Sequence, residues 1–405
     1  MNVILFPMIS GLNSGRMNIA QLKIISSTSL LIVLCLFVNA ALAGTVSEHC
    51  QMDLNALPTY LLENDTGAKN HLKQKGQAHF DVSLASASKA ASVVHRQSDC
   101  NEVLRTYLAS WRKGHLGIEM TPDANLVNVE NAGVASNTQK PQIAQITLSK
   151  EPTLKFLSKK TLLLTLPSFS GQYHAPLLAL IQTHKNELAA HANWIIDVRA
   201  NDGGSDSTYA PLLPWLMADE VLTIGVEWLA SPANIEAQKN LCMLIATGRN
   251  ECDKMMEELV EKLRSVTPGQ YVAHDGTHPD GLYHYRVSPM EKRRPKRVAV
   301  LVDHACGSSC EQFLLTVRQS FNVKLIGRNS YGALDYSNIR PHVLPSGQRM
   351  LLYATSRSVR IPHLQVDING IMPDIFLPPP VDDTAREAEV QQVKSWLEGG
   401  TFKKP

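Results

Sequence analysis

From Thr161 onward the chain alternates short apolar runs with longer amphipathic stretches. Thr161–Leu166, Trp194–Arg199, Arg297–Val302, Val323–Gly327 and Met350–Thr355 are rich in aliphatic and β-branched residues. All five read as strands, with Thr161–Leu166 and Arg297–Val302 as buried ones. Ala175–Ala190, Ala210–Met217, Glu311–Gln319 and Asp383–Glu398 read as helices between or after them, so the core is expected to be an α/β sheet. Upstream, residues 44 to about 112 are polar and mostly helical. Leu104, Tyr107, Leu108 and Trp111 mark the clearest amphipathic helix, Asn101–Trp111, with Asp99 placed to cap it. Leu116–Met120 and Gln142–Leu148 read as strands, separated by a loop rich in Asn, Ala and Gly. Ile235–Val266 reads as a helical insertion, a Pro345-Ser346-Gly347 turn precedes Met350, and Pro378-Pro379-Pro380 ends the sheet region. No internal repeat or low-complexity tract interrupts the pattern.

The first 43 residues behave differently. Lys23, the apolar run Leu30–Val38 and Ala41-Leu42-Ala43 before Gly44 predict a secretory signal peptide cleaved near Ala43, with Met17 as an alternative start. The apolar run is short for a bilayer span, so no stable membrane insertion is expected after cleavage. Export to the periplasm or beyond follows. Six cysteines then remain: Cys50, Cys100, Cys242, Cys252, Cys306 and Cys310. An even number in an exported chain suggests disulfides, and sequential pairing is the simplest of the fifteen connectivities. Free thiols are the alternative. No Cys-x-x-Cys pair exists and His–Cys clustering is thin, so no metal site is expected. A net charge of +2 over 405 residues argues against nucleic acid as a partner.

Two segments share one design: a buried strand runs into a turn of small residues ahead of a helix. They are Ile195–Ser207 and Val298–Leu315. In α/β folds such turns, at the carboxyl ends of strands, collect ligands and catalytic groups. Small residues let backbone N–H groups approach a substrate, and a Ser beside a helix N-terminus would have an adjacent oxyanion stabilised. Gly and Ser are also ordinary turn residues, so the pattern alone leaves plain strand-to-helix connections open.

The motifs narrow the choice. Trp194 to Ser205, reading Trp-Ile-Ile-Asp-Val-Arg-Ala-Asn-Asp-Gly-Gly-Ser, resembles the strand and turn of S41 peptidases, the tail-specific protease superfamily. Val298–Val302 followed by Ser308-Ser309-Cys310-Glu311 is similar to that family's nucleophile segment, Ser-x-x-Glu after a buried strand. Leu325–Gly332 and Gly370-Ile371-Met372-Pro373-Asp374 match the strand and closing motif that follow. The resemblance covers residues 161–377 without the helical insertion. It implies a ClpP/crotonase-like α/β catalytic core over 116–381, an N-terminal helical segment over 44–115 and a C-terminal helix and tail over 382–405. It also implies a peptide or protein substrate and no cofactor. About 45 residues separate Ile118 from Leu162, too few for the PDZ domain that many bacterial relatives carry there.

One position departs from the Ser-Lys branch of that family. Its Lys follows a Tyr/Phe-Gly pair, whereas here the turn reads Tyr331-Gly332-Ala333, and a methyl group accepts no proton. Tyr107–Ile118 instead resembles the tricorn-like element that supplies a His, which makes His115 the expected base for the Ser308 nucleophile. The Ser found beside that His in the family is replaced by Gly114. Asp367, just ahead of the closing motif, falls near the family's acidic member, or is a solvated loop carboxylate. The resemblance places the oxyanion hole at the N–H groups of Gly203 or Gly204 and of Ser309. Ser309 is also the rival nucleophile, disfavoured by the Ser-x-x-Glu spacing. His174, His304 and His363 are the other histidines considered. The expected activity is an acyl-enzyme endopeptidase; the alternative is an inactive peptide-binding protein that keeps the fold. An esterase on another scaffold would show Gly-x-Ser-x-Gly around the serine, which is absent here.

Overall fold

A computed structural model describes residues 44–122, 151–217, 220–239, 241, 249–273, 282–288, 294–367 and 369–402. The expected signal peptide, the expected strand over Gln142–Leu148 and Cys242 lie outside these residues. Four helices come first among the described residues: α1 (Val46–Asn64), α2 (Ala68–Lys75), α3 (Gln77–Ala91) and α4 (Gln97–Trp111). Thr45 starts α1 with a capping box, its side chain accepting from the Glu48 N–H while Glu48 reaches back to the Thr45 N–H. The α4 helix begins four residues before the expected Asn101, with Arg96 at its N-cap. Asp99 therefore does not cap it. It lies in the first turn, where a carboxylate suits the positive end of the helix, and pairs with Arg96 at 2.8 Å. A disulfide between Cys50 and Cys100, with Cα atoms 5.7 Å apart, ties α1 to α4.

After β1 (Gly117–Met120), the strands of the main sheet begin with β2 (Thr153–Phe156), β3 (Thr161–Thr165) and β4 (Asn193–Asp197). The expected single helix Ala175–Ala190 is two, α5 (His174–Thr183) and α6 (Lys185–Ala190), separated where His184 leaves helical geometry at φ −106°, ψ 25°. Short helices α7 (Asp206–Tyr209) and α8 (Leu213–Leu216) follow, then strands β5 (Glu220–Ile224) and β6 (Val226–Leu229). The insertion comprises α9 (Pro232–Lys239) and α10 (Arg249–Arg264), followed by β7 (Tyr271–Ala273) and β8 (Leu282–Arg286). The chain closes with β9 (Arg297–Val302), α11 (Ser309–Val317), β10 (Val323–Gly327), β11 (Tyr336–Val343), β12 (Arg349–Ser358), β13 (Ile375–Phe376) and α12 (Asp383–Leu397).

Six strands form one sheet in the order β13-β10-β9-β4-β3-β2, parallel except for β2. Both faces are covered, as contiguous apolar strands require. Leu162, Leu164, Trp194, Ile196, Val298 and Val300 pack one way with residues of α5, α8 and α11. Leu163, Ile195, Ala299 and Leu301 point the other way onto Val390, Val393 and Leu397 of α12. A second sheet is antiparallel and built on β12, which pairs with β1, β11 and β6. Leu344, Leu351 and Tyr353 carry it onto the buried face of the N-terminal helices. β5 and β8 make a separate antiparallel pair.

Candidate active site

Adjacent central strands β4 and β9 end side by side, and their turns are tied together. Asp303 Oδ1 accepts from the N–H groups of both Ala200 and Ala305, each at 3.0 Å. The Gly307 N–H reaches the Asn201 carbonyl at 3.3 Å. Behind them the Arg199 guanidinium bridges Asp197 (2.6 Å) and Glu389 of α12 (2.7 Å), and Arg328 also pairs with Glu389. A buried arginine fork shared by two carboxylates fixes the ends of β4 and β10 against α12. The Asp-x-Arg part of the first motif thus serves scaffolding.

Ser308 stands at the head of α11 with φ +56° and ψ −124°, a region that residues bearing a Cβ rarely enter. Such strain persists only where neighbours over-determine it. Two do. Cys306 and Cys310, both fully buried, are joined by a disulfide with Cα atoms 5.4 Å apart, closing the turn around Ser308. Glu311, also fully buried, accepts from the Ser308 N–H (3.2 Å), the Ala333 N–H (2.8 Å), the Gly332 N–H (2.7 Å) and Ser330 Oγ (2.5 Å). Burial pushes this carboxyl up from its ordinary value, against those donors. The Glu of Ser-x-x-Glu therefore holds the Ser308 turn and the Ser330–Ala333 turn as one unit.

Gly203 (φ +101°) lies directly against Ser308: a Cβ there would stand 2.7 Å from Ser308 Cβ and 2.6 Å from the Gly307 carbonyl oxygen. Only glycine allows this approach. Its N–H donates to Asn201 Oδ1 at 2.9 Å. The Gly204 carbonyl accepts from Ser309 Oγ at 3.0 Å, which occupies the rival serine's hydroxyl. Among the described residues, the N–H groups of Gly204 and Ser309 meet no protein acceptor.

His115 comes from the other sheet, in the turn between α4 and β1. Arg112, almost wholly buried, donates to the carbonyls of Lys113 (3.3 Å), Gly114 (2.9 Å) and His115 (2.9 Å). Its guanidinium is held by Asp65 at 2.6 and 3.2 Å, and Asp65 also takes the Gly67 and Ala354 N–H groups. One arginine thus clamps the histidine turn to the N-terminal helices and to β12. His115 itself has φ +23°, and its Nδ1 meets the Tyr336 carbonyl of β11 at 2.5 Å. That contact leaves Nε2 as the nitrogen available for proton transfer. Desolvation pushes the imidazole down to about 4; the Tyr336 carbonyl opposes this and Arg112 adds to it. Ser308 and His115 line one cleft of about 400 Å³ with Gly114, Asp202, Tyr331 and Ala333.

Asp367 is placed otherwise. Its Oδ1 accepts the N–H groups of Leu334 (2.6 Å) and Asp335 (2.7 Å), while Asp335 Oδ2 accepts those of Val366 (2.7 Å) and Asp367 (2.9 Å). The two carboxylates clasp each other's backbones next to Tyr336. Burial pushes Asp367 up to about 7, and the neighbouring Asp335 adds to this. The ring nitrogen of His115 is met by a carbonyl where a carboxylate was expected. His174 bonds the Ser207 carbonyl at 2.9 Å, His304 is exposed beside the Tyr331 ring, and His363 is exposed. None of these three lines the cleft. Arg112, Asp65 and Tyr336 were missed in the sequence because their partners are distant in the chain.

The solved structures most like this one include mature CPAF, at 13% identity and a TM-score of 0.56, covering 88% of this chain and 99% of that one. CPAF complexed with lactacystin matches at 12% identity and a TM-score of 0.56, covering 87% and 98%. A crystal structure described as a putative peptidase from Parabacteroides merdae matches at 15% identity and 0.46, covering 84% and 96%. No curated protein matches the sequence. The sequence profile of Peptidase family S41 matches residues 160–377, more than half of the chain and the span that holds both small-residue turns, Ser308 and the closing motif; the chain belongs to peptidase family S41.

Proposed function

We propose that the chain is an exported serine-type endopeptidase that works through an acyl-enzyme, with Ser308 as nucleophile and His115 as base. The observation that carries this is the shared cleft: Ser308 in a strained turn from one sheet, and the His115 imidazole, held by the Tyr336 carbonyl, delivered from the other. Ser308 Oγ attacks the peptide carbonyl as His115 Nε2 takes its proton. The protonated imidazole then gives that proton to the leaving amine, and water repeats the sequence on the ester. The unpartnered N–H groups of Ser309 and Gly204 are the oxyanion donors we favour. Gly203 supplies closeness to Ser308, its own N–H being taken by Asn201. A donor of this kind contributes on the order of 3 kcal/mol to the transition state. We read Tyr336 as the group that orients the imidazole and Asp367 as a positioning residue for the Leu334–Tyr336 segment.

Export is supported by the leader-like N-terminus and by two disulfides, which persist in oxidising compartments. Among the described residues no helix is long and apolar enough to cross a membrane. An active-site-directed fluorophosphonate tests the reading: labelling of the wild type that is lost in Ser308→Ala and in His115→Ala supports it. Absence of labelling in the folded wild type would sink it and favour a peptide-binding protein.

A further inference from the structure

Asp202 follows the Asn201 that anchors the glycine turn, and its side chain is exposed at the cleft. Leu116, Ala305, Tyr331 and Ala333 on the same wall carry no charge, and His115 is held neutral by desolvation. Asp202 is therefore the only formal charge lining the cleft among the described residues. Among those residues no basic side chain lies within ion-pair distance of it; its one partner is Ser168 Oγ, at 3.3 Å. An unpaired carboxylate beside a carbonyl that becomes an oxyanion works against the reaction, unless the substrate brings a cation to it. Nothing in the turn requires the charge, because the backbone contacts are made by Asn201, Gly203 and Asp303.

We propose that Asp202 makes the cleft selective for peptides that carry an ammonium or guanidinium group beside the scissile bond. This rests on Ser308 and His115 being the catalytic pair. A lysine or arginine side chain, or a free N-terminal amine, shares the required chemistry. In each case the cation pairs with Asp202 as the peptide carbonyl enters between Ser308 and the free N–H groups. Such a charge-to-charge contact selects substrates more than it tightens overall binding.

The test compares kcat/KM for peptide pairs that differ only in the cation: lysine against norleucine, arginine against citrulline, and a free against an acetylated amine. Wild type should prefer the charged member of at least one pair by about tenfold or more, and the pair that responds identifies the source. Asp202→Asn keeps an acceptor for Ser168 and should collapse that preference; Asp202→Lys should reverse it. Ser308-dependent cleavage with no preference in the wild type, or with the same preference in Asp202→Asn, overturns the assignment while leaving the catalytic pair standing. No Ser308-dependent cleavage of any peptide removes the catalytic reading and the proposal with it.

Discussion

A Cβ built on Gly114 would stand 2.8 Å from the Cβ of Ala333. The histidine turn therefore rests on the position where the Ser-Lys branch has its lysine, and the two small residues accommodate each other. Gly114 also has φ +61°, which costs a residue with a Cβ about 1–2 kcal/mol. Gly114→Ala should lower kcat/KM by about tenfold or more, because small misplacement of a base is costly. Ala333→Gly in the same chain should restore part of the loss, leaving the backbone cost behind. Ala333→Lys should abolish activity instead of creating a working dyad, since its side chain must displace the turn bearing His115. Steady-state kinetics on the two single variants and the double variant decide this; activity gained in Ala333→Lys would refute it.

The lowered imidazole predicts an unusual acid limb. With His115 at about 4, kcat/KM should hold down to about pH 5 and fall near pH 4, below the ordinary histidine range. A fall centred near pH 6.5 would contradict the burial argument. Stability has its own window. Asp367 is raised to about 7 in the folded chain against 3.8 unfolded, so its contribution is complete below pH 4 and is lost as pH rises toward 7. Asp367→Asn keeps the acceptor oxygen and removes the titration. The difference in Tm between wild type and Asp367→Asn should therefore change between pH 4 and 7 and level off above that.

Arg112 should prove more demanding than its charge. Arg112→Ala leaves Asp65 buried and unpaired, at about 3–5 kcal/mol, and should threaten the fold. Arg112→Lys keeps a cation but lacks the planar fork that reaches Asp65 and three carbonyls at once. We expect that variant to fold, bind peptide with similar KM and turn over at least tenfold more slowly. A larger effect on KM than on kcat would remove the positioning role.

The Cys50–Cys100 and Cys306–Cys310 disulfides should behave differently. Cys50–Cys100 closes 50 residues and should stabilise the chain by about 4 kcal/mol through the unfolded state, whereas Cys306–Cys310 closes four and should contribute about 2 kcal/mol. Replacing Cys306 and Cys310 with Ala should therefore slow fluorophosphonate labelling more than it lowers Tm. Replacing Cys50 and Cys100 should do the reverse. Equal labelling rates in the first variant would mean that Glu311 alone holds the Ser308 turn.

Local order along the chain determined a good deal. Contiguous apolar runs identified the parallel strands β3, β4, β9 and β10, because a strand covered on both faces has no polar side to show, whereas the Met350–Thr355 run belongs to the antiparallel β12 and the two-residue β13 was not seen. The small-residue turns and Ser-x-x-Glu marked the segment around Ser308, since its strain, the disulfide that closes it and its own contact with Glu311 all arise within a few residues. Sequential cysteine pairing was right for Cys50–Cys100 and Cys306–Cys310; Cys252 is disulfide-bonded too, but Cys242 lies outside the described residues. Boundaries were less legible: α4 starts at Gln97, and the expected helix over Ala175–Ala190 breaks at His184. The antiparallel strands β6, β7 and β11 escaped notice, being short or mixed in polarity, with stability drawn from a partner strand instead of their own pattern. Only the tertiary structure decided that the His115 ring is met by the Tyr336 carbonyl, that Arg112 and Asp65 fix its turn, and that Gly114 sits on Ala333. Those contacts join positions from 47 to 221 residues apart and depend on how two sheets pack, which no periodicity along a single strand or helix encodes.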